Sequence, residues 1–531
     1  MEPRKVYLRP NVKVEPLFNQ WYAWSHLISP APAAMNVANL HLKIMKSYIA
    51  SPQVHANAVR NPAMLGGPFI DYDGGRVDEI AELMERTARE QAHMLEFAEA
   101  VRVVDDLLRS EAKGFSLEPL YQKVPEILKG YVELVYDLNN NPSIKFIEGL
   151  LYQSRYYNPA SQTVALSLID RDDRAFALST PRLPDADTLH LKTPFKHEGL
   201  DELFKMKRVP RPLEYIRERL QPGADDAELF STLFTEEEPQ AAGGRYEGDS
   251  VRVRYYGHAT VLLETRDVSI LLDPVLSYKY ENGIDRFTYL DLPETIDYVL
   301  VTHAHQDHIM FETLLQLRHK VKNIILPKSR GGCLEDPSIK TLLRNIGFRN
   351  VFEVDCMETL EVEGGSMTGL PFMGEHADCN VESKMAFLVR LKGASFLFAA
   401  DSNNIEPALY RHLSECLGRV DVLFLGMECD GAPMSWLYGP LMTRKLDRKM
   451  DQSRRFCGSN YERGIEIVNQ FDFKEVYVYA MGQEPWLTYV SSVKYTDESN
   501  PIVASDRLIA DCRARGLAAE RLFGKREWVY A

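Results

Sequence analysis

Cysteine is scarce in this chain, and none occurs before Cys333. The seven present (Cys333, Cys356, Cys379, Cys416, Cys429, Cys457, Cys512) are odd in number and form no C-x-x-C pair. That excludes a disulfide framework and a Cys-rich zinc site, so reduced and mostly buried thiols are expected. No apolar run approaches the ~18 residues of a membrane span. Met1-Glu2-Pro3-Arg4-Lys5 leads into charged and aromatic sequence rather than a signal-peptide core, which predicts a cytoplasmic protein. The net charge of −14 repels phosphates, so neither nucleic acid nor an anionic membrane is expected as a general partner. No G-x-G-x-x-G follows a strand, and Gly364-Gly365-Ser366-Met367-Thr368-Gly369 reads as a turn. A flavin or nicotinamide domain is therefore not expected.

What is present is an ordinary globular composition, 45% hydrophobic and 26% charged, long enough for two to four domains of about 100–200 residues. The acidic, small-residue stretch from Thr235 to Gly244 reads as an exposed connector. It divides residues 1–245, α+β in texture, from 246–531, a strand-rich unit. In the first part, apolar residues at helical spacing run from Val77 to Glu111, and Pro125 to Leu138 is predicted helical, stopped by Asn139-Asn140-Asn141-Pro142. Thr163–Ile169 and Arg174–Ser179 are predicted as paired strands. Glu90-Gln91-Ala92-His93 matches half of a carboxylate-bridged helical di-iron site, but no second copy exists, so a polar helix face is expected.

The chemistry concentrates in Thr302-His303-Ala304-His305-Gln306-Asp307-His308. Four potential ligands follow the buried strand Tyr298-Val299-Leu300-Val301, on a loop rigid at its base and open above. Two histidines at i and i+2 can share one metal while the Asp-His pair turns toward a second. Upstream, Ser250–Tyr256, Val261–Glu264 and Ser269–Leu272 read as strands, with Gly257-His258-Ala259-Thr260 as a turn. Downstream, Gly374-Glu375-His376-Ala377-Asp378 and Asp401, at the end of Phe396–Ala400, are further candidates.

This order resembles the metallo-β-lactamase superfamily, over about Ser250 to Tyr479. The resemblance implies an α/β class with a C-terminal αββα sandwich, metals at one sheet edge, and Asp401 bridging two ions through its two oxygens. Hydrolases of the superfamily add a late histidine, yet only His412 follows Asp401, in a predicted helix poorly placed to ligate. If Glu375 ligates, metal one has His303, His305, Glu375 and Asp401, and metal two has Asp307, His308 and Asp401. Replacing imidazole by carboxylate favours a harder, redox-active ion such as iron and leaves room for dioxygen. Spacing alone leaves Glu375 and His376 as competing ligands.

Tyr255–Leu262, the His303–His308 run, Gly374–Asp378 and Ala400-Asp401-Ser402-Asn403-Asn404, with the long N-terminal part, resemble the di-iron β-hydroxylases of the chloramphenicol-biosynthesis type. That resemblance implies a two-iron cluster with O₂ as co-substrate. It also implies β-hydroxylation of an aryl-alanine (p-aminophenylalanine-like) held as a thioester on a nonribosomal peptide synthetase carrier domain. By match, the ligands fall on His303, His305, Asp307, His308, Glu375 and Asp401. Two external electrons would come from a separate reductase. Lys205–Arg211 and Arg444–Lys449 are basic stretches that could dock an acidic carrier, and the N-terminal part could dock the carrier or form a homodimer. Trp436 is expected in the core, with a place in the wall of an aromatic pocket as the other reading. The alternative function is a zinc-dependent hydrolase of the same fold acting on thioesters or lactones; a non-catalytic carrier-binding relative is a third.

Overall fold

A computed structural model describes residues 4–241, 243–281 and 283–531. Ala242, inside the connector expected at 235–244, lies outside the described residues.

Two seven-stranded sheets form the C-terminal unit. The first runs Val351–Val354, Val321–Pro327, Ile296–Leu300, Ser269–Leu272, Val261–Glu264, Val251–Tyr255, Arg526–Tyr530. The second runs Thr359–Val362, Gly365–Leu370, Ala386–Leu391, Ala394–Phe398, Val422–Gly426, Glu475–Tyr479, Ala518–Arg521. Their facing sides interlock Val253, Leu263 and Ile270 with Phe387, Phe396, Phe398 and Phe424. These strands are apolar on both faces because helices cover the outer sides as well. Ala408–Leu417, Tyr461–Gln470 and Asn500–Ala514 contribute to the layer over the second sheet. Phe311–Leu317, Ile339–Asn345 and parts of the N-terminal unit lie over the first. This is the αββα sandwich expected. Gly365–Leu370 belongs to it as a strand, so the turn expected over 364–369 is confined to its start.

The N-terminal unit combines a four-stranded sheet (Trp21–Tyr22, Val12–Phe18, Gln162–Leu168, Leu189–Leu191) with helices. The helical stripe is divided into Val77–Glu90 and Ala92–Glu111 at the buried Gln91, whose amide donates to Ser161 Oγ. Glu90 lies outward beside Arg89, and His93 packs near the Tyr156 ring, a polar face as expected.

Two local expectations fail. Pro125–Leu138 is not a helix: Val132–Tyr136 is a strand paired with Pro142–Phe146. Val132 and Leu134 are buried and Glu133 is exposed, a period of two. Asn140, at φ 60°, makes the hairpin turn instead of a helix stop. Arg174–Ser179 is not a strand either, and Gln162–Leu168 pairs with Val12–Phe18 and Leu189–Leu191. Its charges are drawn elsewhere. The Arg174 guanidinium donates to Glu15 (2.7 Å) and to both oxygens of Glu312 (3.0 and 2.8 Å). Tyr22, Tyr278 and Tyr489 hydroxyls also donate to Glu312, so this buried carboxylate joins the two units with its lone pairs satisfied.

The cysteines are free, but only Cys512 is buried, and Cys356 and Cys416 are exposed. No helix among the described residues is long and apolar enough to cross a membrane.

Candidate metal centre

The site lies where the sheets converge at one edge. His303, just past Ile296–Leu300, bridges to Lys384 at the start of the strand Ala386–Leu391, and Met385 N–H donates to the Thr302 carbonyl (2.7 Å). That stitch brings the 302–308 loop over the ends of both sheets. Gly374–Asp378 and Asp401 arrive from the second sheet.

Several of these backbones are held where L-residues seldom sit. His258 (φ 53°), Asp273 (38°), Glu375 (67°), Ala377 (51°), Asp378 (57°) and Ala400 (47°) all have positive φ. Such clustering stores local strain of order 1–3 kcal/mol per residue, which the surrounding packing must offset. Gly374 (φ 76°) allows a close approach: a Cβ there would meet Asn403 Cβ at 2.5 Å. A Cβ on Gly426 would meet Asp401 Oδ1 at 2.5 Å. Both glycines let the acidic donors sit against neighbouring backbone.

One donor atom each from His303, His305 and Glu375 lies within 4.8 Å of the other two, and the same holds for His303, His308 and Asp401. His305 Nδ1 is 2.7 Å from Glu375 Oε1, and His308 Nε2 is 3.1 Å from Asp401 Oδ2. His303 and His308 are fully buried, whereas the side chains of Asp307 and Asp401 keep 21% and 16% exposure toward the cavity. All six expected residues therefore converge. Neither Glu90 nor His93 joins a cluster of potential ligands among the described residues. His412 is 65% exposed in the helix Ala408–Leu417, away from the centre.

The geometry separates Glu375 from His376. Glu375 faces His303 and His305, while His376 sits behind it, with Nε2 3.1 Å from Glu375 Oε2 and Nδ1 3.0 Å from the Tyr438 hydroxyl. Burial and the surrounding imidazoles hold His376 well below the usual histidine range, so it stays neutral.

A third cluster was missed by sequence reasoning: His258 with Asp307 and His308. His258 Nδ1 accepts the Gly482 N–H (3.2 Å), which places the proton of the neutral ring on Nε2, 3.3 Å from Asp307 Oδ2. The available signal was a histidine in a tight turn between two buried strands.

Behind His308 stands a second unassigned residue, Asp273. Fully buried, it accepts from Thr302 N–H (2.7 Å) and Thr302 Oγ1 (2.6 Å), and its Oδ2 lies 2.9 Å from His308 Nδ1. A carboxylate on one imidazole nitrogen frees the other for a metal. Asp273-Pro274 follows a predicted strand, a visible cue.

Electrostatics follow from this crowding. Burial holds the His303 ring well below the usual histidine range, reinforced by His308 and His305. Burial opposes charge on His308, but Asp401 and Asp273 overcome it and raise the ring well above that range. Burial raises the Glu375 carboxyl despite His305. Nε2 of His303, Nε2 of His305 and Oδ1 of Asp401 are buried without a hydrogen-bond partner among the described residues. Each such atom costs about 1–3 kcal/mol, a cost that metal coordination would remove. Three imidazoles and three carboxylates suit a pair of iron ions.

A cavity of about 500 Å³ opens onto His305, Asp307, Glu375 and Asp401. Ala63, Leu65 and Gly66 of the N-terminal unit line it, as does Trp436, whose Nε1–H donates to the Gly66 carbonyl (2.6 Å). Trp436 is thus a half-buried wall residue rather than core. Glu428 lines the same cavity, where burial holds its carboxyl up at about 7.

The two basic stretches differ. Lys207 is buried, its Nζ 2.6 Å from Gln316 Oε1, and Arg208 grips the carbonyls of Gly243, Leu290 and Leu292, so 205–211 is no free basic face. Arg444 is exposed and paired with Asp106.

Residues 7–239 match the family model described as diiron non-heme beta-hydroxylase N-terminal domain, and residues 269–436 match the beta-lactamase superfamily domain. The chain is 41% identical over 526 residues to the 4-amino-L-phenylalanyl-[CmlP-peptidyl-carrier-protein] 3-hydroxylase of Streptomyces venezuelae, covering 98% of both chains. The crystal structure of CmlA, a diiron beta-hydroxylase from Streptomyces venezuelae, superposes with a TM-score of 0.93 at 40% identity, covering 99% of this chain and 100% of that one. A mutant of that enzyme gives 0.90 at 40% identity over 98% and 99% of the two chains.

Proposed function

The chain belongs to the diiron non-haem β-hydroxylases, and on that premise we propose that it hydroxylates the β-carbon of an aryl-alanine of the 4-aminophenylalanine kind. The amino acid is held as a thioester on a peptidyl carrier protein, in antibiotic biosynthesis of the chloramphenicol type. The observation that carries this reading is the carboxylate-rich donor cluster at the floor of a cavity with an aromatic wall.

In this reading His303, His305 and Glu375 would hold one iron and Asp307 and His308 the other, with the Asp401 carboxylate shared between them. Two bound irons would supply the activation of O₂ that replaces a β-carbon hydrogen by hydroxyl. Asp273 fixes the His308 ring so that Nε2 presents its lone pair. His258 stands beside Asp307, its Nε2 3.3 Å from Oδ2, and His376 with Tyr438 backs Glu375. Trp436 with Ala63, Leu65 and Gly66 would wall the aryl group and exclude water from it. One oxygen atom enters the alcohol and the other leaves as water, so two electrons must arrive from a separate reductase in the cytoplasm. Residues 1–245 form the unit that docks the carrier or pairs two copies, and 246–531 the unit that holds the metals.

The test is elemental analysis and an iron-sensitive spectrum of freshly purified protein, followed by chemical reduction and exposure to air with aminoacyl-carrier. Two irons and one hydroxyl per cluster are expected. Two zincs, with thioester cleavage instead of hydroxylation, would replace this reading by the hydrolase.

A further inference from the structure

We propose that the Glu428 carboxylate binds the α-ammonium of the carrier-bound amino acid and so fixes which substrates reach the metal centre. The inference rests on the reading above and adds a specificity-determining residue to it.

The cavity carries few charged groups outside the donor cluster. Of its lining residues other than the six expected ligands and His258, only Glu428 and Arg455 are charged. Arg455 is held in the wall: its Nε donates to the Asp430 carbonyl (2.7 Å), Nη2 to the Gly431 carbonyl and Nη1 to Gln452 Oε1 (3.1 Å). It is a cation and cannot receive an ammonium. Glu428 is thus the acidic group of this cavity outside the expected ligands, and an ammonium beside it would favour its carboxylate form.

Its placement matches the geometry of the substrate. The α-nitrogen sits about 2.5 Å from the β-carbon that reacts, two bonds away. An ammonium anchor must therefore stand beside the donor cluster rather than at the mouth. Glu428 follows the strand Val422–Gly426, which runs beside Asp401: a Cβ on Gly458 would lie 3.3 Å from the Glu428 carbonyl and 3.5 Å from that of Asp401. The loop that carries Glu428 is also fixed. Glu428 Oε2 accepts the Gly431 N–H (2.7 Å) and its carbonyl accepts the Gly458 N–H (2.7 Å). One carboxylate edge is thereby pinned to the loop. The ring amine, on the far side of the aryl group, would instead face the apolar wall.

The experiment uses iron-loaded wild type and Glu428→Gln with carrier protein bearing three acyl groups: 4-aminophenylalanyl, phenylalanyl and 3-(4-aminophenyl)propanoyl. Iron content is measured on both proteins. Removing one charge-assisted contact in this cavity is expected to lower kcat/KM roughly 10- to 100-fold on both α-amino substrates, mainly through KM. On the propanoyl group, which has no α-amine, the gap between the two enzymes is expected to close. Equal losses on all three acyl groups, or losses that follow the ring amine, would overturn the assignment. If the variant fails to fold or load iron, wild type alone decides: similar kcat/KM on the first and third acyl groups also overturns it. Absence of hydroxylation on every carrier by iron-loaded wild type sinks the proposed function itself, and this inference with it.

Discussion

Replacing Asp273 by Asn is expected to weaken one of the two iron sites while leaving the fold in place. Asn tolerates the left-handed backbone that Asp273 adopts at φ 38°, so the turn itself is not disturbed. Its remaining oxygen can still accept the Thr302 N–H that Asp273 Oδ1 holds at 2.7 Å. Its NH₂ then faces His308 Nδ1, where Oδ2 stands at 2.9 Å in the native chain. Two donors cannot bond each other. The ring must shift its proton to Nε2, the atom that faces Asp401, and that nitrogen then has no lone pair for a metal. Loss of such a carboxylate–imidazole pairing typically costs 10- to 100-fold in metal affinity, about 1.4–2.7 kcal/mol. Anaerobic titration of the metal-free variant with Fe(II), read by elemental analysis and spectrum, should show iron occupancy falling from two toward one at limiting metal. Far-UV circular dichroism verifies the fold. Two irons bound at wild-type affinity would refute the assignment of Asp273 as the support of His308.

Because Asp401 and Asp273 raise His308 well above the usual range, the metal-free ring keeps its proton to higher pH than an ordinary histidine, and iron must displace that proton. Iron affinity should therefore rise with pH, about tenfold per unit for each proton displaced, with proton release seen in a weakly buffered indicator titration. Lys207, pushed by burial down to about 7, penalises the fold below that pH, and the penalty fades as pH rises toward the ordinary value of 10.5. Lys207→Met is thus expected to gain on the order of 1–3 kcal/mol in denaturant unfolding at pH 6 and to show no gain near pH 10; a pH-independent difference would contradict this. Charge reversal at Arg444 and Lys445 should weaken carrier binding several-fold at low salt and much less at 0.5 M; unchanged binding eliminates that surface as the dock.

Several strands of the sandwich were legible in the sequence as short apolar runs closed by turn residues, and their order carried the resemblance that implied the αββα arrangement. The His303–His308 run was legible for a different reason: ligands within one loop stay together whatever the loop does. Asp273 and His258 were not recognised because they lie 30 and 45 residues before His303, and only the pairing of Ser269–Leu272 with Ile296–Leu300 brings Asp273 beneath it. That Glu375 rather than His376 faces His303 and His305 goes with a backbone at positive φ, which no side-chain pattern encodes. The misread segments fail through long-range partners. Arg174 leaves a would-be strand for carboxylates on two other elements, and Val132–Tyr136 takes its partner from across a turn that also resembles a helix stop.

Ala63, Leu65 and Gly66 lend one wall to a cavity whose floor belongs to the other half of the chain, and Trp436 is tied to that wall by a hydrogen bond. Chimeras that swap the first half among relatives will therefore inherit part of their substrate preference from it. A chain without its first half would lack that wall, and the donor cluster would lie open to bulk solvent.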